Sequence, residues 1–439
     1  MSDLRVLLVH IFAVLRFATV ALTLLLCTMA SAATLQQQLE QAVSAFSQGD
    51  YEASYWQFES IALDYGSEPE FLARTFQQTI LPVRGYAALM ADRPTDALTY
   101  FGELLQNYDP NPQLRAFVFY NTAIAQTRTQ ALAAAADTFR VFQQYFPNSN
   151  EAALARLQEA DLHYQMGDSA KANNLLDDCY QSTAPESLRL QARLRALQIA
   201  GENGSTERAR TILFNSEWNG AAMPEIAVLS FAALDIGDLL LSEGHYTDAV
   251  RAYRLTLPRA VLIEQQRAQL RNAEIALNQQ SLLTSEIWKS HCRQLIARLQ
   301  RQLLILETMT DYTPGLYLRS GQAYLLGQRY REATILLRTV AQSESFETDI
   351  CAEAHYRWII ARSQAGDWQN ARTVAQQFIV TYPTHTLANR ALFLIARTFQ
   401  SEGQFLEAIA VLDDLIEHFP DDKYAPRWYF TRGHNYSAL

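Results

Sequence analysis

One mark returns along this chain: a glycine or other turn residue, an aromatic two residues on, and a small residue three after that. Its clearest copies are Gly244-His245-Tyr246 with Ala249, Gly366-Asp367-Trp368 with Ala371, and Gly403-Gln404-Phe405 with Ala408. Weaker copies are Gly49-Asp50-Tyr51 with Ser54, Gly167-Asp168-Ser169 with Ala172, and Gly204-Ser205-Thr206 with Ala209. Asp92-Arg93-Pro94 with Ala97, Tyr330 with Ala333, and a worn copy around Ala135 complete the set. From Ala97 through Ala135, Ala172 and Ala209 to Ala249 the steps are 38, 37, 37 and 40; from Ala333 through Ala371 to Ala408 they are 38 and 37. The 84 residues from Ala249 to Ala333 fit one further, longer pair of helices. A fixed period of this length means a stack of small units, each burying its apolar face on its neighbours. A chain of 439 residues then need not divide into several globular cores.

Each part of the mark has a physical cause. The glycine ends a helix where φ turns positive. The aromatic opens a second helix and fills the gap between the two, and the small residue lets their backbones approach. Four residues later a large apolar side chain lies on the same face one turn on: Phe58, Phe101, Phe139, Leu176, Leu213, Tyr253, Leu337 and Leu412. Pro147, Pro383 and Pro420 stop the second helix, because proline lacks the N–H and its ring clashes with the preceding turn. In residues 389–420, Leu392, Ile395, Ala396 and Phe399 repeat at helical spacing, as do Ala408, Leu412 and Leu415.

This pattern resembles the tetratricopeptide repeat (TPR), over most of the chain after residue 32. The resemblance implies an all-α fold: an α-solenoid, a right-handed superhelix of about ten helical hairpins with a C-terminal capping helix. The steps exceed the family's usual spacing, so the links between units are longer, and Arg156 stands where a large first-helix residue is usual. Helical pairs are predicted to start near Leu35, Phe71, Leu114, Glu151, Glu186, Glu225, Arg259, Thr313, Ile350 and Ala388. The last helix, from Ala425, either covers the final unit or belongs to an array cut short. Residues 418–426, with shorter versions at 145–149 and 382–385, look like the extended repeats of bacterial envelope proteins. Among these are the lipoprotein that helps assemble outer-membrane β-barrels and the Tol-associated periplasmic coordinator of division. That likeness implies a Gram-negative periplasm and a protein-binding role.

Four segments follow: a signal peptide over 1–32, N-terminal repeats over 33–257, an elongated hairpin over 258–311, and C-terminal repeats with the capping helix over 312–439. The first has Arg5, an apolar run over 17–27 too short to span a bilayer at roughly 20 residues, and Ala30-Ser31-Ala32 as a cleavage site. A periplasmic or secreted protein is expected. An uncleaved anchor over 6–26 is the alternative, and lipidation at Cys27 a third, although Leu26 stands where a small residue is usual. Cleavage leaves Cys179, Cys292 and Cys351, which form no disulfide framework and are expected to be buried thiols, with one pairing left open. In the third segment two long helices are predicted, about 259–280 and 285–308. Trp288, Cys292, Leu295, Leu299 and Leu306 make a heptad-like seam on the second, in a hairpin expected to project beyond its neighbours.

Chemistry is hard to place here. The histidines never fall in H-E-x-x-H, and no zinc, P-loop, dinucleotide or nucleophile-elbow motif occurs. Asp177-Asp178, Asp413-Asp414 and Asp421-Asp422 are adjacent on helical stretches and diverge by roughly 100°. No catalytic residue, metal or cofactor is expected. A net charge of −10 argues against nucleic acid or an anionic membrane surface as partner. A protein or peptide partner remains, and the TPR resemblance places its contacts on exposed first-helix positions: Arg390, Phe393, Arg397 and Gln400, continued by Arg427, Phe430 and Arg432 in the last helix. Arg267, Arg271 and Arg298 form a second candidate face for an acidic partner; solvation alone is the plain reading of both sets. The leading expectation is a non-catalytic scaffold in envelope assembly or division. A membrane-tethered adaptor, or the targeting part of a peptidoglycan-processing enzyme, are the alternatives.

Overall fold

The computed structural model describes residues 33–147, 149–218, 225–278 and 286–439. The leader expected over 1–32, with Cys27, lies outside them, as does the predicted turn at 279–285. The described residues form 21 α-helices and no strand. In order they are α1 (Ala33–Gln48), α2 (Tyr51–Tyr65), α3 (Arg74–Met90), α4 (Pro94–Asn107), α5 (Pro112–Arg128), α6 (Leu132–Tyr145), α7 (Asn150–Gln165), α8 (Ser169–Gln181), α9 (Glu186–Glu202), α10 (Thr206–Asn215) and α11 (Ile226–Ser242). Then come α12 (Tyr246–Leu255), α13 (Arg259–Asn278), α14 (Glu286–Thr308), α15 (Thr313–Leu326), α16 (Tyr330–Ala341), α17 (Thr348–Gln364), α18 (Trp368–Thr381), α19 (Ala388–Ser401), α20 (Phe405–His418) and α21 (Ala425–Ala438). Odd-numbered helices are first helices and even-numbered ones second helices. Against expectation α3 starts at Arg74, with Phe71 buried ahead of it beside Phe76 and Phe58.

The predicted turns are present. Gly49, Gly167, Gly204, Gly244, Gly366 and Gly403 all have positive φ, where a glycine meets no Cβ penalty. Asp92, Gln130 and Gln328 take the same left-handed conformation at the turns without glycine. In all nine turns the next N–H reaches back five residues, as from Asp50 to Ala45 at 3.0 Å, Arg329 to Tyr324 at 2.8 Å and Gln404 to Phe399 at 2.9 Å. These bonds satisfy carbonyls that the ending helix leaves open. Asp50 and Asp168 then cap the second helix, accepting from the N–H of Ala53 and Lys171. All nine small residues of the mark, and all eight large residues four places on, are buried.

The first helices supply a counterpart that the sequence pattern did not announce. Sixteen residues before seven of the eight large side chains stands a small one, Ala42, Gly85, Ala123, Ala160, Gly237, Gly321 and Ala396; Leu213 is the exception, with Leu197 in that place. A Cβ at Gly237 would lie 2.6 Å from Tyr253, and one at Gly321 2.6 Å from Leu337; at Gly85 it would collide with Phe101. In α17 and α18 the sizes are swapped, with Ile359 on the first helix and Ala375 on the second, both buried. Close packing thus matches one large side chain to one bare backbone position.

The chain forms two compact units. Of the described residues, the first unit comprises those up to Ile199 and those within 217–225 and 266–303; the second comprises Ala200–Ser216, Ile226–Gln265 and Leu304–Leu439. Within the second unit α12 packs directly on α15, and Arg254 donates to the Tyr324 hydroxyl at 2.9 Å. The 84-residue gap is therefore not one more stacked pair: α13 and α14 are inserted between two adjoining hairpins. The base of the insertion is fastened to α11 by Leu262 and Leu306 against Ala227, and Arg259 bonds the carbonyl of Leu306 at 2.8 Å. In the first unit Glu225 accepts from Arg298 at 3.2 Å and from Gln302 at 2.9 Å, and Gln302 also bonds Gln266. Of the predicted seam, Leu299 and Leu306 are buried, whereas Ile287 takes the buried place expected for Trp288.

Candidate functional site

In the second unit, three successive first helices line a groove of about 510 Å³. α17 contributes Tyr356, Ile360 and Ser363; α19 contributes Arg390, Phe393, Leu394, Arg397 and Ser401; α21 and its cap contribute Tyr424, Arg427 and Trp428. Within each helix these residues recur at three- and four-residue intervals, the spacing that brings side chains onto one face. Phe393, with Ala396 and Leu412, packs on Trp428, Ala425 and Leu415, and this cluster sets α21 beside α19.

No aspartate or glutamate lines the groove. Arg390 lies between two rings, 4.8 Å from the centroid of Tyr356 and 5.4 Å from that of Tyr424. Arg427 sits over Phe393 at 5.3 Å. These contacts attract a cation to the ring faces and restrict the long side chains. The other arginines of these hairpins are neutralised: Arg357 by Glu353 at 2.9 Å, Arg372 by Glu402 at 2.6 Å, Arg432 by Asp413 at 2.8 Å, and Arg362 by Asp367. Arg390, Arg397 and Arg427 make no ion pair among the described residues. Burial raises the Tyr356 pKa above the phenol's ordinary value, so its hydroxyl keeps its proton as a donor, although Arg390 pulls the other way.

Of the sequence candidates, Arg390, Phe393, Arg397 and Arg427 line this groove, and Phe393 proves to be buried rather than exposed. Gln400 instead pairs with His434 Nδ1 at 3.2 Å, and Phe430, 75% exposed, is outside the wall. Arg267 and Arg271 are exposed on α13 in the first unit, whereas Arg298 on α14 is half-buried and bonded to Glu225. Sequence reasoning passed over Tyr356, Ser363 and Tyr424. Tyr356 stands one 37-residue step before Phe393, a register that points to it.

The carboxylate pairs have structural partners. Asp177 meets Arg193 at 3.5 Å, Asp413 meets Arg432, and Asp422 accepts from the N–H of Tyr424 just ahead of α21 at 2.8 Å and from Asn389 at 2.9 Å. Among the described residues no group of three His, Cys, Asp or Glu side chains could hold a metal ion. No described helix is long and apolar enough to cross a membrane. Cys179 and Cys351 are buried, and burial pushes the Cys179 thiol up to about 11. Cys292 is half-buried.

Residues 97–276 match the family of tetratricopeptide repeat-like domains, and residues 353–385 and 390–422 each match a tetratricopeptide repeat. Together these matches cover more than half of the chain. No curated protein matches the sequence. Solved structures similar to it include a tetratricopeptide repeat protein from Parabacteroides merdae, at 13% identity and TM-score 0.34, covering 73% of this chain and 96% of that one. The apo form of RapI is 10% identical with TM-score 0.39, covering 92% of this chain and 97% of that one. The TPR2AB domain of yeast Sti1, solved in complex with pHSP90, is 11% identical with TM-score 0.32, covering 73% and 98%.

Proposed function

The chain belongs to the tetratricopeptide-repeat family, and on that premise we propose that it is a non-catalytic scaffold holding an acidic segment of a partner protein in the groove of α17, α19 and α21. The observation that carries the reading is the groove's charge. Three arginines converge on a cavity that no carboxylate lines, in a chain of net charge −10. Like charges left together repel one another, and an incoming anion removes that repulsion. A guanidinium suits the task because its planar fork grips a carboxylate through two parallel hydrogen bonds. The rings of Tyr356, Tyr424 and Phe393 hold two of the three forks in place beforehand, which lowers the entropy lost on binding. Ser363 and Ser401 add hydroxyls at the wall.

The place of action we propose is the periplasm, in envelope assembly or division. The apolar run over 17–27 followed by Ala30-Ser31-Ala32 supports export, and the repeat junctions at 145–149, 382–385 and 418–426 support the envelope.

A fluorescein-labelled hexaglutamate peptide tests the groove by anisotropy. Binding is expected to weaken as salt rises. It is expected to fall at least tenfold in the variant carrying Arg390→Glu, Arg397→Glu and Arg427→Glu, with an unchanged circular-dichroism spectrum. Equal binding by the variant would rule the groove out. Pull-down from an envelope extract with both proteins then names the partner, and fractionation of cells expressing the chain tests its location.

A further inference from the structure

The junction of α12 with α15, inside the second unit, departs from the repeat on both of its sides. Seven residues after the small residue of the mark, second helices carry a buried apolar side chain, among them Leu104, Phe142, Val340, Phe378 and Leu415. In the register of α12 that place belongs to Thr256. Thr256 is 3% exposed, and its hydroxyl makes no hydrogen bond among the described residues. Ser216, the other short residue at this place, bonds the Ile212 carbonyl at 2.6 Å. On the first-helix side, α11, α17 and α19 bury Ile236, Trp358 and Ile395 at the place that Ser320 holds in α15. Two short polar residues thus meet where the repeat sets two large apolar ones, and both line a cavity of about 380 Å³. After α16, α18 and α20 a short link leads straight into the next first helix, whereas residues 256–312 intervene here.

The cavity has an apolar body and a basic rim. Val250, Tyr253 and Leu316, all buried, form its walls with Leu336. Arg254 lines it from an exposed position, donates to the Tyr324 hydroxyl at 2.9 Å and makes no ion pair among the described residues. Glu332, the carboxylate on its wall, is already paired with Arg329 at 2.5 Å. We propose that this cavity binds a small carboxylic acid with an apolar body. The carboxylate lies between the Arg254 guanidinium and the Thr256 hydroxyl. The body runs along Val250, one turn back on the face of Arg254, toward Leu316 and Leu336. A guanidinium holds a carboxylate by charge-assisted hydrogen bonds. The same carboxylate gives Thr256 the acceptor it lacks, which removes the cost of a buried hydroxyl without a partner. Apolar cavities of this size with a few polar groups are suited to small molecules. None of the lining residues belongs to the arginine groove, so the site stands apart from the scaffold reading.

The probe is radiolabelled octanoate, followed by equilibrium dialysis against the whole chain, with labelled 1-octanol beside it. Saturable one-to-one binding of octanoate is expected, at least tenfold tighter than that of octanol. Thr256→Leu restores the size of side chain that the other repeats bury. This variant should melt no lower than the parent and bind octanoate at least tenfold more weakly. Ser320→Ile fills the cavity from α15 and should act in the same way, so the test survives if one of the two fails to fold. Arg254→Gln should bring octanoate down to the affinity of octanol and leave octanol unchanged. No saturable binding by the parent at millimolar octanoate overturns the proposal. So does equal binding by a folded variant with the cavity filled, or octanol held by the parent as tightly as octanoate.

Discussion

The hairpin of α19 and α20 and the inserted hairpin of α13 and α14 have the same secondary structure and are held by different kinds of contact. In the first, Ala396 meets Leu412 sixteen residues on, and the turn at Gly403 closes through a bond spanning five residues. In the second, polar bonds between remote residues add to the apolar contact of Leu262 and Leu306 with Ala227. Gln302 and Arg298 reach Glu225 across 77 and 73 residues, and Arg259 reaches the Leu306 carbonyl across 47. A repeat carries its own packing instructions within one period. An insertion must borrow partners from elsewhere, and hydrogen bonds supply the specificity that period cannot.

The strongest way to break this contrast is to overfill a socket. Gly237→Leu should force Tyr253 and the backbone apart and cost about 3 kcal/mol, read as a lowered urea midpoint. A smaller loss, with Tyr253 unmoved in a structure of the variant, would mean that the two helices are not matched in size. Next comes the insertion: Glu225→Ala leaves Arg298 and Gln302 without their acceptor and should cost about 2 kcal/mol. Hydrogen exchange should then quicken in α14 and stay unchanged in α19 and α20.

The turns test the repeat from its favourable side. Gln130→Gly and Gln328→Gly relieve a left-handed residue that has a Cβ, and each should stabilise by about 0.5–1 kcal/mol, whereas Gly366→Ala should destabilise by a similar amount. If all three changes prove neutral, the turn conformation is not what ends these helices.

The smallest effect is a pH dependence within α17. Burial among Trp358, Phe378 and Tyr382 lowers the His355 pKa below its ordinary 6.5. The unfolded chain therefore takes up this proton first as pH falls. The associated stability is present in full above about 6.5 and is lost as pH falls from there toward the folded-state value. His355→Gln should flatten the melting-temperature profile between pH 7 and 5; an unchanged slope would assign it to other groups.

Much of the hairpin order was legible because the mark is local. Gly366, Trp368, Ala371 and Pro383 are set by φ, by the approach of two helices and by a missing N–H, which all act within a few residues. The pairing of Gly85 with Phe101 was also present in the sequence, at constant spacing, but a lone glycine in a helix reads as a weak point until its neighbour is known. The groove was half legible. Arg390, Arg397 and Arg427 follow from first-helix register, whereas Phe430 and Phe393 share that register and differ in burial, 75% against 8% exposed. Phe393 has α21 beside it, and no helix lies in the corresponding place beside Phe430 among the described residues.

By itself, the sequence determined that this chain is a stack of helical hairpins, where most of them begin and end, and which side chains point between them, because those properties depend on backbone sterics and a repeating apolar face. Only the tertiary structure decided that α12 packs on α15 across an insertion and which arginines pair with carboxylates. The packing across the insertion and pairs such as Arg372 with Glu402 join residues tens of positions apart, and sequence spacing carries no information about which distant groups meet.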